Sequence, residues 1–152
     1  MKNTSTALCL LLLLSVFVVS AMSSASPVMP ADQAAAVGCL RSIVTAEAYY
    51  SKHYPAGFSP TLASLGVPDS GVQPSASAAG LLDNTLTGGT KNGYVFTYVP
   101  GAKDSSGKIT SYTITARPNT WKTGMWSFFA DETGVIRWTD ENRVPKVTDG
   151  PL

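Results

Sequence analysis

A chain of 152 residues, with 11 Lys and Arg against 10 Asp and Glu, carries a formal net charge of +1. Charged residues make up 14% of it, well below the roughly 25% of an average globular protein. The length suits one domain, and the charge balance argues against nucleic acid or an anionic lipid surface as a partner, since either needs a basic surplus.

Lys2 precedes a nearly unbroken apolar run, Leu8 to Val19, followed by the small residues Ser20, Ala21, Ser23, Ser24 and Ala25. That order describes a secretory signal peptide, residues 1–25. Cleavage is expected after Ala25, with Ala21 as the second choice. The run falls short of the about 20 residues that span a bilayer. The expected location is therefore periplasmic or secreted. An inner-membrane anchor through residues 7–22 is the alternative if the segment stays uncut. Cys9 lies in the run, which leaves Cys39 as the one cysteine beyond it, a small core filler or an intermolecular bridge.

Residues 26–31 read as a linker containing Pro27 and Pro30. Asp32 then stands as an N-cap or first-turn residue. Ala36, Leu40, Ile43, Tyr50 and Tyr54 recur at helical spacing, and Val37, Val44 and Ala48 widen the stripe. One long amphipathic helix is expected, ended by Pro55 and Gly57. Glu47 projects into its apolar arc. Two readings stay open for this structural acid: it caps amides of the following loop, or it snorkels from the edge of the stripe.

Between Phe58 and Asn92, Pro60 to Gly66 reads as a short helical turn that docks Leu62 and Leu65. Gly71 to Ser77 reads as a loop, and Ala78 to Leu86 as a second short helix burying Leu81, Leu82 and Leu86. Gly88-Gly89 and Asn92-Gly93 read as breakers. Four strands follow: Tyr94–Val99 and Ser111–Ala116 around the turn Asp104–Gly107, then Trp126–Ala130 and Val135–Trp138 around Asp131–Gly134. The expected fold is α+β, one long N-terminal helix packed on a four-stranded antiparallel sheet over residues 32–139, with an irregular tail over 140–152.

Several segments together resemble the globular headpiece of type IV pilins and of the major, G-type pseudopilins of type II secretion. Ala36 to Ile43 with Thr45-Ala-Glu47 and Tyr50 is similar to the C-terminal half of the family's spine helix. Gly57 to Gly66 is similar to the segment after it, Gly93 to Tyr98 to the first strand, and Phe128–Asp131 with Gly134–Arg137 to the last hairpin. The resemblance covers about residues 32–139. It implies a bacterial, non-catalytic structural protein whose partners are proteins of a secretion or pilus assembly. Residues 1–31 lack the family's Gly, aromatic residue and Glu-bearing apolar stretch, so ordinary export is expected in place of prepilin processing. Some pseudopilins bind calcium in a C-terminal loop. Here Asp131, Glu132, Asp140, Glu141 and Asp149 form no spaced ligand series, and solvated turns are expected.

No catalytic, cofactor or metal constellation is expected. His53 is the one histidine and sits at a helix end, where exposure is the plain reading. Gly88-Gly89-Thr90-Lys91 lacks the spacing of a phosphate loop. Trp121, in the polar loop Asn119 to Gly124, is the aromatic residue expected outside the core and the candidate partner contact. The second functional reading is therefore a secreted module that binds a glycan or another ligand through the loop around Trp121.

Overall fold

The computed structural model describes residues 29–152. The expected signal peptide with its expected cleavage positions, most of the expected linker, and Cys9 lie outside them. Helix α1 runs Ala31–His53, and a 3-10 turn occupies Leu62–Leu65. A single-turn helix α2, Asn84–Thr87, precedes strands β1 (Thr90–Lys91), β2 (Tyr94–Pro100), β3 (Tyr112–Pro118), β4 (Ser127–Asp131) and β5 (Arg137–Thr139).

All five strands form one antiparallel meander in chain order. The expectation of four strands is thus corrected: β1 joins the edge, pairing Thr90 with Val95 and Lys91 with Tyr94. The reason lies in Asn92-Gly93, which acts as a hairpin turn rather than as a breaker. Its φ values, 52° and 76°, are both left-handed. That is the primed geometry whose twist matches paired strands, and Asn-Gly is its preferred dipeptide.

The expected helix over Ala78 to Leu86 is likewise corrected. Only Asn84–Thr87 is helical, with Asp83 as its cap, its Oδ1 accepting from Leu86 N at 3.0 Å. The preceding residues spend their amides elsewhere. Ala79 N–H donates to Ser64 O, and Leu81 and Leu82 N–H both donate to Leu65 O at 2.9 Å. A helix needs those donors for its own ladder, so none forms. Leu82 and Leu86 are buried, and Leu81 is half-buried.

Helix α1 starts after Pro30, with Asp32 in its first turn. It ends where Tyr54 turns extended (φ −118°, ψ 139°), the conformation that a following proline favours. Its inward face holds Ala36, Val37, Leu40, Ile43 and Tyr50, all buried. Ala48, expected in the stripe, is exposed, because the sheet covers a narrower arc than the apolar residues span. Against α1 lie Tyr94 and Phe96 of β2, Ile114 and Ala116 of β3, and Phe128 and Ala130 of β4. Trp126 and Trp138 stack at 4.1 Å and pack on this core.

Strand β4 is buried on both faces. Its outward Phe129 is 7% exposed. The tail accounts for this. Trp138 N–H donates to Gly150 O at 3.0 Å and Leu152 N–H to Ile136 O at 2.9 Å, which shields the β5 edge. Arg143 holds the intervening loop through Asp149 at 2.6 Å and through Glu141. Pro145 is buried, and Val147 lines a hollow shared with Phe129. The segment from 140 to 152 has no regular secondary structure, yet it is part of the sheet's cover.

Gly57 ties the connection after α1 to the loop between β2 and β3. Phe58 N–H donates to Ile109 O at 2.9 Å and Ile109 N–H to Ala56 O at 2.8 Å. Gly57 sits at φ 78°, and a Cβ there would lie 2.3 Å from Ile109 O. Gly57→Ala therefore combines a left-handed strain with a backbone clash. It is expected to lower unfolding free energy by about 3 kcal/mol, read as the urea midpoint at unchanged m.

Candidate functional site

Trp121 follows β3 on the loop Asn119–Gly124 and is half-buried. It lines a hollow of about 360 Å³ with Val95 and Thr97 of β2, Arg117 of β3, Asn119, and Asn142 of the tail. Period two along the strands places Val95, Thr97 and Arg117 on the face away from α1, and the register sets Arg117 beside Val95. Arg117 Nη2 donates to Asn142 Oδ1 at 3.2 Å, which ties the tail to the sheet. The Nε of Arg117 is buried with no hydrogen-bond partner. The hollow thus joins one aromatic ring, one cation and two amides beside Val95 and Thr97. Such a combination holds and orients a polar ligand.

Sequence reasoning singled out Trp121 and missed its companions. Arg117 could have been found by continuing the alternation Thr113, Thr115, Arg117 on the outward face of β3. Nothing in the sequence points to Asn142, 25 residues from Arg117.

Glu47 belongs to a different place. It is fully buried on α1, its Oε2 accepting from Ser59 N–H at 2.9 Å and its Oε1 from the Ser59 hydroxyl. Tyr98 of β2 donates its hydroxyl to Ser59 O at 2.9 Å. The carboxyl therefore fastens the helix to the loop that follows it, and Tyr98 fastens the same loop to the sheet. Burial raises the Glu47 carboxyl above its ordinary range, and the Ser59 donors pull it partly back. Burial also raises the Tyr98 and Tyr112 hydroxyls, with the Glu47 charge adding to both.

A larger groove, about 940 Å³, follows the outer flank of α1 between Gly38, Ser42 and Tyr49 on one side and Leu81 and Leu86 on the other. Of its charged lining residues, Lys91 and Asp83 are spent on each other at 2.6 Å, while Arg41 is exposed and makes no ion pair among the described residues. Volume and the free Arg41 favour this groove, whereas the Trp121 hollow alone sets an aromatic ring of the polar loop beside a cation and two amides. Cys39 is buried at the groove floor, and burial raises its thiol. His53 stacks on Tyr49 at 3.7 Å and its Nδ1 meets Tyr49 O at 2.8 Å. Among the described residues, no cluster of three His, Cys, Asp or Glu side chains is placed to hold a metal ion, and no helix is long and apolar enough to cross a membrane. Asp131 and Thr133 bond within their own turn, and Glu132 accepts from Tyr112 N–H at 3.3 Å.

No protein-family model, curated protein or solved structure matches the chain.

Proposed function

We propose that the chain is an exported, non-catalytic interaction protein of pilin or pseudopilin type. In this reading it works in the periplasm or outside the cell and docks to protein components of a secretion or pilus assembly. The observation that carries the proposal is the order of parts: a 23-residue helix, a docked connection, then an antiparallel meander whose inner face the helix covers. Residues 36–50, 57–66, 93–98 and 128–137, which carry the resemblance to pilins, occupy the helix, the connection, the β1–β2 turn with β2, and the β4–β5 hairpin. The exposed flank of α1 supplies the docking surface of this reading, with Arg41 and Tyr49 open to solvent.

The test is fractionation combined with crosslinking. A photo-crosslinking residue at Tyr49 should yield adducts whose mass spectra identify pilus or secretion components. N-terminal sequencing of soluble, membrane and sheared-filament fractions should give a species starting near Ser26. A soluble, adduct-free protein would overturn the assembly role.

The Trp121 hollow supports a second reading, a secreted ligand-binding module. Its support is the convergence of Arg117, Asn119, Trp121 and Asn142 from two strand-linked segments and the tail.

A further inference from the structure

We propose that the hollow beside Trp121 binds a carboxylate-bearing saccharide, with Arg117 taking the carboxylate, Trp121 the sugar face, and Asn119 and Asn142 the hydroxyls. The inference rests on the ligand-binding reading and names its chemistry. Arg117 is a half-buried cation with no carboxylate within ion-pair distance among the described residues. Arg143, by contrast, is held by both Glu141 and Asp149. One nitrogen of Arg117 is anchored on Asn142 at 3.2 Å, so the guanidinium plane is oriented before any ligand arrives. An oriented guanidinium matches a planar carboxylate through paired hydrogen bonds.

A single cation suits a singly charged carboxylate better than a phosphate group, which carries up to two charges near neutral pH. Trp121 offers a flat, amphipathic ring that can stack on the C–H face of a sugar. The amides of Asn119 and Asn142 both donate and accept, as sugar hydroxyls do. The volume, about 360 Å³, lies at the lower end of small-molecule sites. Val95, 42% exposed, adds one apolar contact to the lining.

The experiment is calorimetric titration of the full chain with an oligogalacturonide and with its neutral galactose counterpart. The acidic oligomer should bind at least about tenfold tighter, a difference of roughly 1.4 kcal/mol. That preference should shrink as salt is raised from about 0.05 to 0.5 M. Arg117→Gln should erase the preference, and Trp121→Ala should weaken both oligomers. Trp121→Phe keeps an aromatic ring if the alanine variant fails to fold, and it should retain binding. Thermal midpoints of all variants report whether folding is intact. Equal binding of both oligomers would overturn the acidic assignment while leaving the ligand-binding reading standing. Absence of binding to either would sink both. An Arg117→Gln variant that keeps the preference would also overturn the assignment.

Discussion

Glu47→Ala is expected to lower unfolding free energy by about 2–4 kcal/mol. The Ser59 N–H loses its acceptor where water has no access, since Glu47 and Ser59 are both fully buried, and the Ser59 hydroxyl is left with Thr61 O at 3.0 Å. The truncation also leaves a cavity beneath Tyr98 and Tyr112, whose rings stack at 5.6 Å. Urea unfolding of the variant checks the magnitude. A loss under about 0.5 kcal/mol would mean that the carboxyl works as a surface group.

The same residue sets a pH dependence. Burial raises its folded pKa above the unfolded value, so the folded state binds the proton more tightly. Its stabilising contribution is complete below the ordinary Glu range and is lost as pH rises through the raised pKa. Asp83, Asp104 and Asp149 are lowered by their hydrogen bonds, so they act in the opposite sense and at lower pH. From the raised pKa of Glu47 down to the ordinary Glu range the protein should therefore gain stability on acidification. Glu47→Gln keeps an acceptor for the Ser59 N–H and should flatten that slope. A variant that retains the slope would assign it to another group.

Phe128→Ala is expected to cost about 3–5 kcal/mol, the largest loss at a single apolar position. The ring is fully buried in the central part of the sheet, pairs with Trp138 across β4 and β5, and lies 6.0 Å from the Tyr94 ring. Strands on both sides and the helix above limit how far the site can collapse into the void. Thermal unfolding should show a drop of well over 10 °C for a domain of this size. A drop of only a few degrees would mean that Trp126 and Trp138 refill the space.

Local patterns were legible where one element answers to one period. The stripe Ala36, Leu40, Ile43, Tyr50 runs down α1, and the alternation Tyr94, Phe96 and Ile114, Ala116 faces it from β2 and β3. Both follow from the chemistry of neighbouring residues, because a helix or strand repeats its faces at a constant interval. The β1 hairpin was readable too, since Asn92-Gly93 between Lys91 and Tyr94 is a turn signal. It was missed because two-residue strands leave no periodic trace.

The remaining features depend on contacts between residues far apart in the chain. Whether Glu47 caps or snorkels turned on where Ser59 lands, 12 residues later. The failure of a helix at Ala79–Leu82 turned on competing carbonyls at Ser64 and Leu65. The tail's role turned on Arg143 reaching Asp149 and on Gly150 meeting β5. The candidate site shows the same division. Trp121 stood out in the sequence as a large aromatic in a polar loop. Its union with Arg117 and Asn142 is a product of sheet register and of the path the tail takes across the outer face. Periodicity and turn chemistry act between near neighbours and leave their mark on composition. Distant pairings are selected by the packing of the whole chain, so they leave no local mark to read.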